Sequence, residues 1–263
     1  MRALYSAATG MKSLQMSIDT ISNNLANVNT TGYKKQRLEF KDLLYEKMNT
    51  TDFSDGTGAP VSLEMGQGVK SSATLRSFGQ GNLRQTENNL DLAIDGDGFF
   101  VVRDANNELR YTKDGSFKIS VADGTSRLAT SDGLFVQAEG GDLELGEEIA
   151  EININSSGLV TVKRLGETEF EEVDTIQLFK FANPAGLASL GSNFYQATEA
   201  SGDPIENEEG SAGEILQGFL EGSNVQVVEE MIAMITAQRA YETNSKTIQT
   251  ADEMLQQANG LKR

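Results

Sequence analysis

The two ends of the chain carry a heptad pattern of apolar residues, which limits the possible folds more strongly than any other feature. Near the N-terminus, apolar residues follow one another at gaps of three and four: Leu4, Ala7, Met11, Leu14, Ile18, Ile21, Leu25 and Val28. Near the C-terminus they recur every seven residues, with four apolar companions: Val227, Met234, Tyr241, Ile248 and Leu255, with Val228, Met231, Ile235 and Ala251. An apolar period of 3.5 residues is typical of a coiled-coil seam, because a slightly underwound helix keeps such a stripe facing one partner.

We therefore predict two long terminal helices that pack against each other or against those of neighbouring copies. Each stripe alone also fits the ordinary buried face of a helix. Two stripes at the two termini favour the coiled-coil interpretation, because the ends of a domain are usually its least ordered parts. The candidate assembly residues are stripe positions and one asparagine: Leu4, Met11, Leu14, Ile18, Ile21, Asn24, Leu25, Val28, Val227, Met231, Met234, Tyr241, Ile248 and Leu255.

The predicted first helix covers residues 2–28 and stops before Gly32, because glycine readily takes the left-handed conformation that follows many helices. Three asparagines, among them Asn24, fall in its last turns. Asparagine is a poor helix former, so either these turns fray or the amides bond to neighbouring backbone in a packed assembly. Apolar residues within 38–48 indicate a second, shorter helix. The last helix is predicted to start after an Asn224 N-cap and to continue to about Gln257.

The middle of the chain predicts β-strands joined by tight turns. Apolar residues alternate around Leu92 and Ile94, and residues 99–102 form a compact run of strand formers. Turn-forming pairs punctuate these runs: Asp95-Gly96, Asp114-Gly115, Asp123-Gly124, Asp132-Gly133 and Ser157-Gly158. Short strands separated by such pairs are typical of antiparallel hairpins.

The predicted fold class is therefore α+β. A discontinuous coiled-coil helical domain is formed by residues 1–48 and 219–263, and a mainly antiparallel β domain of residues 69–218 is inserted between its two parts. Residues 49–68 lack periodicity and contain Pro60, which predicts an extended arm or linker.

Composition argues against most kinds of chemistry. The chain has no Cys and no His, which excludes disulfides, thiol nucleophiles and histidine-based catalysis or zinc sites. Asp95-Gly96-Asp97-Gly98 fails as an EF-hand loop because the next ligand position is Phe99. We expect no catalytic residue, no cofactor and no metal site.

Charge is concentrated in one part of the sequence. The formal net charge is −17, and residues 141–230 hold three Lys/Arg against nineteen Asp/Glu. A nucleic-acid partner is disfavoured, because phosphate binding needs a basic surface. This acidic surface either serves solubility or keeps monomers apart before assembly.

The sequence predicts neither membrane insertion nor a cleaved secretory signal. Lys12, Gln15 and Asp19 interrupt the N-terminal region and leave no continuous apolar core of a signal peptide. No stretch approaches the roughly 18 apolar residues that a membrane span needs. If the protein leaves the cytoplasm, we expect it to use a route other than general secretion.

Several motifs resemble those of a known family. The segment ISNNLANVNTTGYK, which starts at Ile21, is similar to the N-terminal signature of the flagellar rod and hook family of bacterial axial proteins. The segment LEGSNVQVVEEMIAMITAQRAYETNSKTIQTADEMLQ, which starts at Leu220, is similar to the matching C-terminal signature. In the middle, QGNLRQTENNLDLAIDGDGFFVV and FANPAGLASLGSNFY resemble rod members of this family. The resemblance covers nearly the whole chain.

The resemblance implies a structural protein without catalytic activity. Such proteins assemble helically into the hollow drive shaft that transmits torque from the motor to the hook, with the terminal helices inside and the β domain outside. The implied location is the flagellar basal body, outside the cytoplasmic membrane, reached by type III flagellar export. The implied partners are further copies, other rod and hook proteins, and surrounding ring proteins.

Other functions remain as alternatives. Within the family, the chain could be a proximal rod protein or a hook-type protein. A peptidoglycan-acting glycosidase would need two carboxyl groups roughly 5–10 Å apart in a cleft, and no motif in the sequence pairs two of them. A secreted adhesin with a coiled-coil stalk would explain the β domain but not a helix at each end.

Overall fold

The computed structural model describes residues 2–49, 63–104, 106–122, 125–146, 149–166, 169–206 and 213–260. The chain forms two compact units. The first, here called the helical unit, comprises Met1–Ala26, Gln36–Arg76 and Gln226–Arg263. The second, here called the β unit, comprises Asn27–Lys35 and Ser77–Val225. The predicted domain limits remain a prediction, and most of the predicted arm, residues 50–62, lies outside the described residues.

The helical unit contains both long helices and four strands. The elements are α1 (Arg2–Ala26), β1 (Gln36–Asp42), β2 (Tyr45–Asn49), β3 (Leu63–Gly66), β4 (Val69–Arg76) and α2 (Val227–Gly260). Strand β1 pairs with β4 and β2 with β3, both antiparallel. The Leu43 N–H donates to the Gly68 carbonyl at 2.9 Å, which links the two pairs into one ribbon.

The helix predicted within residues 38–48 is wrong, since this stretch forms β1 and β2. Leu38 and Phe40 are two residues apart, which is strand spacing, and β1 pairs with β4 along its whole length. That pairing partner lies about thirty positions further along the chain. Local apolar spacing therefore could not reveal it.

The two terminal helices are confirmed, with corrected ends. Helix α1 stops at Ala26, two residues earlier than predicted. Helix α2 begins at Val227, and the Glu230 N–H donates to the Gln226 carbonyl at 3.1 Å. The predicted N-cap role of Asn224 is wrong, because its side chain bonds to backbone groups of distant segments.

The β unit is built from eighteen short strands among its described residues. They are β5 (Leu83–Gln85), β6 (Leu92–Asp95), β7 (Phe99–Arg103), β8 (Leu109–Thr112), β9 (Lys118–Ala122), β10 (Thr125–Ala129), β11 (Phe135–Ala138), β12 (Gly141–Asp142), β13 (Glu144–Gly146), β14 (Ile149–Ile154), β15 (Leu159–Arg164), β16 (Glu171–Thr175), β17 (Leu178–Lys180), β18 (Ala188–Gly191), β19 (Phe194–Gln196), β20 (Ile205–Glu206), β21 (Glu214–Gln217) and β22 (Phe219–Glu221). A short 3-10 helix spans Pro184–Gly186.

Every strand pair in the described part of this unit is antiparallel, which confirms the predicted β class. An eleven-stranded sheet runs in the order β13-β10-β11-β7-β8-β19-β18, with β9, β12, β17 and β20 attached beside it. A three-stranded sheet β14-β15-β16 and the pairs β21-β6 and β22-β5 complete the unit.

The predicted turns join these strands where they are described. Gly133 lies between β10 and β11 with φ 84°, and Gly158 lies between β14 and β15 with φ 91°. Glycine suits these positions because other residues rarely adopt a positive φ. The pair Asp123-Gly124 lies outside the described residues.

Strand β7 explains why residues 99–102 are apolar without interruption. Phe100 and Val102 belong to the main core, together with residues of both larger sheets. Phe99 and Val101 belong to a second core of mostly aromatic residues. Successive side chains of a strand point to opposite faces, so a strand buried on both faces must be apolar at every position.

Candidate assembly interface

Within the helical unit, α1 and α2 contact each other and run antiparallel. Asn24 Nδ2 donates to Glu230 Oε2 at 3.0 Å near one end of the contact. Near the other end, a methyl group added to Gly10 would lie 3.0 Å from Asn244 Nδ2. The positions 10 to 24 of α1 thus run opposite 244 to 230 of α2. A glycine at this point allows the two backbones to approach closely.

A line of small and polar residues on α2 is buried. Glu230, Ala237 and Ala251 are the buried residues of this helix, and half-buried Asn244 continues the same line. These positions recur every seven residues, as in a coiled-coil seam. They lie four positions before the large apolar residues of the predicted stripe.

The predicted apolar stripe of α2 lies outside this buried line. Four of the six candidate assembly residues on α2 are exposed: Val227, Met231, Tyr241 and Leu255. Met234 and Ile248 are half-buried. The structure therefore leaves the large apolar stripe at least partly open along the whole helix.

On α1, the predicted positions are more protected. Ile21 and Asn24 are buried, and the other helical positions are half-buried: Leu4, Met11, Leu14, Ile18 and Leu25. Val28 follows the end of α1, belongs to the β unit and is half-buried there.

Asn24 has a defined structural role within the chain. Its Oδ1 accepts from the Gln36 N–H at 2.9 Å, and its Nδ2 donates to the Gln36 carbonyl at 2.8 Å. Together with the bond to Glu230, these contacts tie α1 to both β1 and α2. The predicted alternative of amide bonding to nearby backbone is therefore observed for Asn24, inside a single chain.

The first turns of α2 carry a second apolar face, here called the outer α2 face. Its four residues are exposed by 69%, 50%, 58% and 48%: Val228, Met231, Ile232 and Ile235. Their i, i+3, i+4 and i+7 spacing places them on one side of the helix. Successive residues of an α-helix are rotated by about 100° around its axis. The outer α2 face therefore lies on the side of the helix opposite to buried Glu230 and Ala237. Sequence reasoning missed Ile232, although this spacing identifies it.

The terminal motifs also meet inside the β unit, around a buried ion pair. Lys34 Nζ lies 2.6 Å from Glu221 Oε1, and both side chains are fully buried. Lys34 comes from the N-terminal signature and Glu221 from the C-terminal one. The same Oε1 accepts from the Gly81 N–H at 2.8 Å, and Lys34 also donates to the Gly79 carbonyl at 3.0 Å. A buried pair with such additional bonds is far less screened by water than a surface pair.

A second buried lysine faces the same carboxylate. Lys113 Nζ lies 3.9 Å from Glu221 Oε2 and donates to the Gly96 carbonyl at 2.9 Å. Among the described residues, Glu221 Oε2 has no hydrogen-bond partner. Burial lowers the pKa of Lys113 to about 8, an effect that nearby Glu221 opposes and Lys34 reinforces.

This shift predicts a pH dependence of stability. In the unfolded chain Lys113 holds its proton up to its ordinary pKa of 10.5, whereas the folded β unit releases it from about pH 8. Since the unfolded state then binds more protons, stability rises with pH across this window, by at most about 1.4 kcal/mol per pH unit. Urea unfolding at pH 7.5 to 9.5 should show this rise in the wild type and a flatter curve in Lys113→Met. A wild-type stability that falls over this range would contradict the assignment.

Within the described residues, no group of three or more Asp or Glu side chains is arranged to hold a metal ion. None of the helices there is both long and apolar enough to cross a membrane.

Three family models match the chain, each in a different region. "Flagella basal body rod protein" matches residues 4–34, which contain most of α1 and Lys34. "Flagellar hook protein FlgE/F/G D1 domain" matches residues 93–162 of the β unit. "Flagellar basal body rod FlgEFG protein C-terminal" matches residues 216–261, which contain Glu221 and α2. These matches define the class as the rod and hook proteins of the bacterial flagellum.

Full-length relatives narrow the class further. The chain is 46% identical to the flagellar basal-body rod protein FlgG of Borreliella burgdorferi, over 100% of this chain and 99% of the relative. It is 41% and 38% identical to the FlgG proteins of Caulobacter vibrioides and Bacillus subtilis, in both cases over 100% of each chain. The chain belongs to the FlgG family of flagellar basal-body rod proteins. This is a family of structural proteins, not enzymes, and these matches give no support to the glycosidase alternative.

Among solved structures, the flagellar hook protein FlgE2 of Helicobacter pylori matches 71% of this chain and 43% of its own, with 18% identity and a TM-score of 0.25. A TM-score this low carries no information about the fold.

Proposed function

We propose that this structural rod subunit assembles helically with copies of itself into a hollow shaft that transmits torque from motor to hook. The observation that carries the proposal is the outer α2 face. Contiguous apolar residues exposed on a helix usually mark an interaction site. A contact between two different faces of identical chains does not end in a dimer, and it generates an open helical filament when the rotation between copies does not close a ring.

The candidate assembly residues divide into two groups under this proposal. Ile21 and Asn24 hold the helices of one chain together. The exposed residues of α2 contact neighbouring chains: Val227, Met231, Tyr241 and Leu255, with Val228, Ile232 and Ile235. The half-buried residues complete the interface at its edges: Leu4, Met11, Leu14, Ile18, Leu25, Val28, Met234 and Ile248.

We further propose that the contact between α1 and α2 is a coiled coil. Its support is the spacing of seven between Glu230, Ala237, Asn244 and Ala251, opposite Gly10 and Asn24 on α1. Small residues at such a seam allow a close approach of the backbones, and the Asn24–Glu230 bond fixes the register. Buried polar residues often serve this purpose in coiled coils.

The proposed location is the distal part of the rod, outside the cytoplasmic membrane, reached by flagellar export without a cleaved secretory signal. Other rod and hook proteins would be neighbours along the shaft, and ring proteins would surround it. The acidic stretch 141–230 falls largely in the β unit. A strongly charged outer surface suits a subunit that must stay soluble until its helices are packed.

Electron microscopy of the purified protein, concentrated at moderate salt and seeded with rod fragments, tests the proposal. We expect straight hollow filaments that extend the seeds. Closed rings or discrete dimers would contradict it, because both require interfaces that close on themselves.

A further inference from the structure

The chain passes four times between its two units, and within the β unit hydrogen bonds join the residues beside three of these passages to the segment that follows the first. The passages fall between residues 26 and 27, 35 and 36, 76 and 77, and 225 and 226. On the β-unit side, hydrogen bonds join residues 32–35, 77–81 and 221–224 into one cluster, here called the passage clamp. Its central side chains are Lys34, Glu221 and Asn224.

Asn224 connects three of the four passages with a single side chain. Its Oδ1 accepts from the Lys35 N–H at 2.7 Å, at the second passage. Its Nδ2 donates to the carbonyls of Ser77 and Gly79 at 2.9 and 3.0 Å, just after the third. Asn224 itself lies immediately before the fourth. The Ser77 N–H also donates to the Lys35 carbonyl at 2.9 Å, so the second and third passages are bonded directly.

Glu221 and Lys34 hold the segment that follows the first passage. The Glu221 carbonyl accepts from the Gly32 N–H at 2.8 Å, while its side chain binds Lys34 and the Gly81 N–H. A side chain at Gly32 would meet the backbone N of Asp114 at 2.8 Å, and one at Gly81 would meet the Gly222 carbonyl oxygen at 2.0 Å. The segments are therefore packed backbone to backbone, with no room for a side chain between them.

We propose that the passage clamp closes the β unit on its own, so that this unit stays folded while the terminal helices are separated from each other. The functional importance of this device rests on the proposed rod function, in which the helices gain new neighbours during assembly. The clamp itself is a property of the single chain. All its bonds lie within the β unit, so none of them depends on the contact between α1 and α2.

The clamp also gives a physical reason for polar residues in the two terminal signatures. Apolar side chains at these positions could also be buried, but they would not determine which segments of the chain pair with each other. Buried polar groups must find their partners or pay the full cost of desolvation, and in some proteins this selects one arrangement. Lys34 pairs with Glu221, and Asn224 bonds to the backbone of Lys35, Ser77 and Gly79, at the point where three segments of the β unit meet.

Hydrogen exchange by NMR on the full-length chain tests the clamp, with three variants. Ala237→Asp places a charge in the buried line of α2 and loosens the helices. Asn224→Ala removes the three bonds that the Asn224 side chain makes in the clamp. Asn183→Ala is the matched control, because Asn183 Nδ2 also donates to a backbone carbonyl of the β unit, that of Ala200 at 2.9 Å, away from the passages.

We expect Ala237→Asp to speed exchange in α1 and α2 while the amides of Gly32, Lys35 and Gly81 keep their wild-type rates. Asn224→Ala should speed exchange at these three amides by about tenfold or more, with and without Ala237→Asp, since each lost bond is worth about 1 kcal/mol. Two results would overturn the proposal: the three amides exchanging as fast as the helices in Ala237→Asp alone, or Asn224→Ala having no more effect there than Asn183→Ala. These exchange rates are measured on the single chain and do not depend on filament formation. A failure of the rod proposal would appear in the electron microscopy and not in these rates.

Discussion

Replacing Glu221 with Gln is expected to lower the free energy of unfolding of the β unit by about 3–5 kcal/mol. The substitution keeps the size of the side chain and an oxygen that can accept from Gly81. It removes the negative charge between Lys34 and Lys113, whose Nζ atoms lie 2.6 and 3.9 Å from the carboxylate. Two buried ammonium groups are then left without a counter-charge, and removing one partner of a buried pair is among the most damaging single changes.

The matched control for this prediction is Glu144→Gln. Arg127 Nη2 lies 2.6 Å from Glu144 Oε1, the same distance as in the buried pair, but half of the Glu144 side chain is exposed. Water screens such a pair, so we expect a loss of at most about 1 kcal/mol. Urea unfolding of both variants, followed by the NMR signals of β-unit residues, separates the two cases. Equal losses would mean that burial does not set the strength of the Lys34–Glu221 pair.

Ile235→Asp is expected to abolish filament growth or to raise the protein concentration that growth requires by about tenfold or more. Ile235 is 48% exposed on the outer α2 face, so the single chain should keep its stability within about 0.5 kcal/mol. In the proposed filament this position is covered by a neighbouring chain. Burying an unpaired carboxylate there costs several kcal/mol per contact.

Gln249→Asp serves as the control for this effect. It adds the same charge to an exposed polar position of the same helix. Sedimentation of seeded assemblies across a concentration series compares the two variants with the wild type. Normal growth of Ile235→Asp, or equal inhibition by Gln249→Asp, would show that the outer α2 face is not the contact.

The terminal helices could be predicted from the sequence because heptad spacing is a local property. The pattern did not reveal which stripe faces the partner helix within the chain. On α2, the line through Val227 and Tyr241 and the line through Glu230 and Ala237 both recur every seven residues. Apolar content favoured the first line, yet the structure buries the second, which carries two alanines and places Asn244 against Gly10.

The antiparallel β class was predictable for a similar reason, since turn pairs such as Asp132-Gly133 act locally. The β1–β4 pairing and the passage clamp could not be predicted in this way. Strand β1 finds its partner only in β4, and Asn224 finds Lys35 across a separation of 189 residues. An asparagine before an apolar run has the local appearance of a helix cap. Only the arrangement of distant segments shows that its side chain serves another purpose.

The resemblance of the terminal signatures led to the family but not to the roles of individual residues. Lys34 lies in a short basic stretch of the sequence with Lys35 and Arg37, and nothing local indicates that its side chain is fully buried. Its burial depends on its ion-pair partner Glu221, which lies 187 positions away in the sequence. Asn24 was selected as an assembly residue, and its observed bonds hold α1 to β1 and α2 within one chain.

In the proposed rod, this FlgG-family chain forms a shaft through its terminal helices. Cryo-electron microscopy of filaments grown from the full-length protein, at a resolution that separates helices, tests it most directly. We expect α1 and α2 in the inner wall and the β unit outside, with the outer α2 face buried against a neighbouring chain. Filaments in which the outer α2 face remains open to solvent, or in which β units line the bore, would contradict it.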